Sequence, residues 1–116
     1  MSTSPSDPIS WFDFERVDIR TGTIVAATPF PKARKPAYQL TIDFGELGHK
    51  RSSAQLTALY TPDRLVGMQV VAVVNFPPKQ IANFISECLV LGAVDPEGTV
   101  TLLQTERPAP NGLRIA

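Results

Sequence analysis

Thiol and imidazole chemistry have little to work with in this chain. It carries one cysteine, Cys88, and one histidine, His49. A lone cysteine closes no internal disulfide, so nothing calls for an oxidising compartment. The pair also falls short of a structural zinc site, and no metal or cofactor is expected. Neither sign of charge is in excess: 11 Lys and Arg balance 11 Asp and Glu. That excludes a strongly basic, histone-like binder and leaves room for a local basic face. Long apolar runs are missing. Val70-Val71-Ala72-Val73-Val74 is short against the roughly 20 residues a bilayer-spanning helix needs, so no membrane insertion is expected. There is no G-x-S-x-G, no glycine-rich phosphate loop and no H-E-x-x-H. His49, between Gly48 and Lys50, reads as a solvated turn residue. Cys88 opens an apolar run and reads as an inert buried thiol. Ser52 and Ser53 have no identifiable base, and Glu87 has no partner carboxylate. No enzymatic activity and no catalytic residue is expected.

What is present is a single domain's worth of chain, 116 residues with 43% apolar content. Met1 to Pro8 is small, polar and proline-broken. It lacks the basic and apolar regions of a signal peptide, so residues 1–8 are expected to be a loose tail and the protein cytoplasmic. Ser10 followed three residues on by Asp13 fits a capping box opening a short helix through Trp11, Phe12 and Phe14. Two readings of those aromatics stand: they plug one end of the core, or they dock on a second subunit.

From Val17 the period is two. Gly22 interrupts the first strand, where a bulge or sharp coil is expected. Tyr38, Leu40, Ile42 and Phe44 alternate with polar residues, Gly45 to Gly48 turns the chain, and a return strand carries Arg51, Ser53 and Gln55 on one face. Thr61 and Pro62 start a one-turn helix that Gly67 stops. Met68 to Asn75 reads as a buried strand. Pro77-Pro78 breaks the ladder, so Asn75 to Ile85 reads as a loop. Leu89 to Leu91 and Thr99 to Gln104 are strands about an Asp95-Pro96-Glu97-Gly98 turn. Glu106 to Ala116 is an extended tail. Five or six short strands with one small helix between the third and fourth fit a mainly β, five-stranded closed barrel of the oligonucleotide/oligosaccharide-binding (OB) type, with a compact sandwich as the alternative.

Two binding surfaces compete. Between Pro31 and Ser52 there are five cations (Lys32, Arg34, Lys35, Lys50, Arg51) against two anions, and Lys79 follows in the diproline loop. Loop cations at a barrel rim suit phosphates, and Phe30, Phe44 and Phe76 offer stacking surface; both features also fit solubilising charge and core packing. The loop from Asn75 to Ile85 carries two Phe and two Ile. It either folds back onto the core or lines a groove for apolar segments of unfolded polypeptide.

Val17-Asp18-Ile19-Arg20-Thr21-Gly22-Thr23-Ile24, Tyr60 to Gly67 and Ser86 to Leu91 resemble motifs of the stand-alone tRNA-binding domain found also at the C-terminus of bacterial methionyl-tRNA synthetases. Arg34-Lys35-Pro36-Ala37-Tyr38, Ser52-Ser53-Ala54-Gln55 and Val71 to Ser86, which includes NFPPKQIANF, are similar to that family's secretion-chaperone branch. The resemblance covers residues 9–116. It implies an OB-fold barrel, a short N-terminal helix, a C-terminal extension and a homodimer built on Trp11, Phe12, Phe14, Leu113 and Ile115. It also implies chaperone-like binding of unfolded or precursor proteins bound for export, and partnership with the export motor ATPase. The expected polypeptide-contact residues are Phe76, Ile81, Phe84 and Ile85. A structure-specific tRNA-binding module is the alternative, with Lys32, Arg34, Lys35, Lys50, Arg51, Asn75, Lys79 and Ser86 as RNA contacts. The chain departs from the tRNA-binding pattern at Phe30-Pro31-Lys32-Ala33-Arg34 and at Cys88, where that pattern has a glycine.

Overall fold

The computed structural model describes residues 6–116; residues 1–5 of the expected tail lie outside the described residues. Ser10 opens the first element. Its hydroxyl accepts the Asp13 N–H at 3.1 Å and the Asp13 carboxylate accepts the Ser10 N–H at 3.0 Å, closing the capping box over α1 (Trp11–Glu15). No residue of α1 is buried. The aromatics therefore do not plug this chain's own core.

Strand β1 (Ile19–Pro29) is long because it serves two partners. Its first half pairs antiparallel with β4 (Gln69–Val73) and its second half with β2 (Tyr38–Asp43). A strand that changes partners must bend, and the register shift that permits it lies between Ile24 and Ala26. The bulge is thus at Val25 and not at Gly22, as the glycine suggested. Gly22 answers a different need. A Cβ there would stand 2.7 Å from the Ile42 side chain and 2.8 Å from the Phe44 ring, so the glycine lets the core press against the β1 backbone.

A 3-10 turn (Gly45–Leu47) joins β2 to β3 (His49–Ala54). His49 begins β3, and its ring lies 3.9 Å from the Asp43 carboxylate across the ladder, a neighbour that linear spacing hid. Helix α2 (Pro62–Leu65) buries Leu65 and ends as Gly67 turns with φ 94°. The diproline break is shorter than expected. The ladder resumes at once in a hairpin, β5 (Lys79–Ile81) against β6 (Phe84–Ser86), with Ile81 opposite Phe84 and Ala82 at φ 51° in the turn. Prolines deny donors only at their own positions, so they did not prevent a strand beginning at Lys79. β7 (Leu89–Val90) returns to β4, and β8 (Gly92–Val94) and β9 (Val100–Leu102) form a second hairpin about Asp95.

The main sheet runs β3-β2-β1-β4-β7, a nearly closed antiparallel barrel with α2 between β3 and β4, as an OB fold requires. Ile24, Leu40, Ile42, Phe44, Leu65, Val70 and Ala72 fill it. The C-terminal tail is strapped along the first half of β1: Gly112 N–H donates to the Thr21 carbonyl, Thr21 N–H to Leu113 and Ile115 N–H to Ile19. Gly22→Ala is expected to cost roughly 1–3 kcal/mol, the range for overpacking a filled core. Urea unfolding should then show a lower midpoint at an unchanged slope.

Candidate binding cleft

Strand β3 closes the barrel through side chains more than through a ladder. Glu87 N–H donates to the Arg51 carbonyl at 2.7 Å, and Arg51 N–H donates to the Glu87 carboxylate at 2.9 Å. The buried Ser52 hydroxyl donates to the Cys88 carbonyl at 2.9 Å, and Ser53 N–H donates to the Ser86 hydroxyl at 3.1 Å. Beyond Ser86 the β5–β6 hairpin parts from β3. Phe84 anchors it from beneath, tilted against Phe30 with centroids 5.4 Å apart. The Arg51 guanidinium covers the Phe84 ring at 4.1 Å from its centroid.

Two grooves flank the opening and share Ser53, Gln55, Lys79, Gln80 and Ile81. One, of about 630 Å³, is walled by Lys32, Arg34, Lys35 and Lys79 with no acidic residue in its lining. The other, of about 760 Å³, is walled by Phe76, Pro77, Pro78 and Leu89. Phe76 is 53% exposed. One groove is therefore cationic and the other mainly apolar, with Lys79 and Glu87 also in its lining.

The structure gathers some of the expected residues and removes others. Lys32, Arg34, Lys35 and Lys79 meet in one wall, although Lys35 and Lys79 are 44 positions apart. Lys50 and Arg51 line neither groove. Asn75 is corrected: its amide accepts the Asp18 N–H and donates to the Arg16 carbonyl, so it pins the α1–β1 junction and is not free for RNA. Ser86 lines the apolar groove, but its hydroxyl belongs to the β3 seam. Phe84 is also corrected. At 1% exposure it is a core residue supporting the hairpin, not a contact surface. Ile81 lines both grooves; Ile85 is 44% exposed but lines neither. Trp11, Phe12, Phe14 and Leu113 are exposed and Ile115 is partly buried. Ser53, Gln55 and Gln80 were missed as lining residues. The alternation that buries Ser52 and Ala54 already put Ser53 and Gln55 on the opposite face of β3.

A family model described as "Putative tRNA binding domain" matches residues 19–114. The chain belongs to this tRNA-binding domain family. Among solved structures it is similar to chaperone CsaA from Bacillus anthracis str. Ames: 53% identity, 95% of this chain and 100% of that one covered, TM-score 0.91. The CsaA chaperone protein of Picrophilus torridus is 51% identical, with 94% and 100% covered and a TM-score of 0.86. These two structures bear out the resemblance to the chaperone branch read from residues 71–86. The methionine–tRNA ligase of Salinibacter ruber (strain DSM 13855 / M31) is 39% identical over 101 residues, 87% of this chain and 14% of that protein. The chain spans 14–16% of the length of the curated relatives it matches. Within this tRNA-binding domain, Cys88 stands under the cleft. Burial pushes its thiol up from 9.0 to about 11. Between those values the unfolded chain loses a proton that the folded one keeps, so stability should fall as pH rises through that window. Alkylation with iodoacetamide should be slow at pH 8 in the folded protein and fast once it is unfolded in urea.

Proposed function

We propose that the protein is a non-enzymatic cytoplasmic chaperone that binds unfolded or precursor polypeptides as a homodimer and passes export clients to the motor ATPase. The observation that carries this reading is the cleft's exposed apolar wall, Phe76, Pro77, Pro78 and Leu89, beside the β5–β6 hairpin. Prolines hold such a surface open at little entropic cost on binding. The similarity to CsaA chaperones over nearly the whole chain supports it. The dimer reading is supported by Trp11 at 86%, Phe12 at 67% and Ile9 at 72% exposure. An apolar surface of that kind marks an interaction site.

A second reading is tRNA binding, favoured by the family match and the four-cation wall. The two separate in salt. Affinity that rests on about four phosphate contacts falls steeply between 50 and 200 mM salt, whereas apolar client binding persists. Light scattering of a heat-denatured client should show that Phe76→Ser loses most of the suppression of aggregation while remaining folded; full retention would count against the apolar wall. tRNA shifted in a gel at low salt should be released near physiological salt. Retention there, abolished by charge reversal at Lys32, Arg34 and Lys35, would favour the tRNA reading. Trp11→Ala with Phe14→Ala should move the sedimentation coefficient toward that of a monomer, and an unchanged profile would place the interface elsewhere.

A further inference from the structure

The main chain of β3 is not fully used. Its register with β2 pairs Lys50, Ser52 and Ala54 with Ile42, Leu40 and Tyr38. The groups of Arg51 and Ser53 point the other way, as their bonds to Glu87 and Ser86 show. The next two outward groups are the Ser53 carbonyl and the Gln55 N–H. Among the described residues neither has a hydrogen-bond partner. Strand β6 packs beside β3 and bonds to it through Ser86, but it makes no hydrogen bond to either group. The result is a short stretch of unpaired main chain at the end of β3, at the floor of the cleft, with no proline or bulge in it. Ser53 is half-buried and Gln55 exposed, so the edge is within reach of a ligand.

We infer that an extended polypeptide segment binds here by adding a strand to the Ser53–Gln55 edge of β3. The inference deepens the chaperone reading and rests on it. The occupant is fixed by three features together. An acceptor and a donor at strand spacing match a polypeptide backbone and not a sugar-phosphate chain. A strand laid on this edge sends successive side chains to opposite sides. One side meets Phe76, Pro77, Pro78 and Leu89; the other meets Lys32, Arg34 and Lys35, with Lys79 between the two. The segment recognised is thus one in which apolar residues alternate with acidic ones. Backbone pairing is blind to sequence, and the walls impose only a pattern, so one edge can serve many clients. The basic n-region of an export leader would be repelled by the cationic wall, which places the bound segment elsewhere in the precursor.

The test uses the full chain and a fluorescein-labelled nonapeptide alternating valine and glutamate. Fluorescence anisotropy should show saturable binding. The same peptide N-methylated at every second amide should lose about tenfold or more in affinity in one of its two registers and little in the other, because only one edge of the peptide faces β3. Gln55→Pro removes the unpaired N–H without removing a native hydrogen bond and should weaken binding several-fold; Gln55→Ala should not. Equal affinity for both methylated registers would overturn strand addition, and so would full binding by a folded Gln55→Pro protein. In either case, continued suppression of client aggregation would leave the chaperone reading standing. Loss of aggregation suppression in the wild-type protein would remove that reading itself. A single-stranded RNA 12-mer that binds wild type and Gln55→Pro alike, with no peptide bound, would also overturn the inference and favour nucleic acid as the occupant.

Discussion

The barrel depends on how β3 is tied to residues 86–88. A continuous ladder would have closed the sheet and left no cleft. A missing seam would have left β3 splayed and the core open. The chain takes an intermediate course, with one backbone bond, from Glu87 to Arg51, and four bonds that use side chains, the Cys88 thiol to the Arg51 carbonyl among them. Each is worth about 1 kcal/mol net, but losing the buried Ser52 hydroxyl's partner would cost more, since a buried polar group without a partner keeps its full desolvation penalty. Side-chain bonds reach further than a ladder does. That reach lets β6 leave β3 at Ser86 while the barrel stays closed, and the departure opens the two grooves.

The same arrangement reconciles zero net charge with a charged binding wall. Lys32, Arg34 and Lys35 come from the β1–β2 loop and Lys79 from the hairpin, and the departure of β6 leaves them facing one groove. None of the acids that balance these cations lines that groove. The protein therefore presents a local field without the overall charge that would draw it to any polyanion. Phe84 shows how closely support and surface are linked. Its ring is buried against Phe30 and capped by Arg51, and it fixes the hairpin that follows the apolar Phe76-Pro77-Pro78 wall.

Much of this was legible in the residues. Tyr38 to Phe44 alternated cleanly, Thr61-Pro62 marked α2, Ser10 and Asp13 marked the first cap, and the loop cations marked one wall. The errors have local physical causes. Gly22 leaves more than one reading open, because a glycine's missing side chain has two uses, kinking a strand or admitting a neighbour, and only the fold distinguishes them. The hairpin after Pro77-Pro78 was hidden because it is three residues per strand, too short for periodicity to register. Phe84 looked like a groove residue because its burial comes from Phe30 and Ala37, more than 45 positions away. Asn75 looked free for the same reason, since its partners Arg16 and Asp18 lie on the far side of the barrel sequence.

The central claim is that polypeptide binds where β3 and the hairpin part. Hydrogen–deuterium exchange on the protein with and without a saturating unfolded client addresses it directly. The account predicts slower exchange in residues 53–56 and 79–85 on client addition, with the β8–β9 hairpin unchanged. Protection confined to residues 9–16 and 111–116, with the cleft exchanging as freely as before, would contradict it.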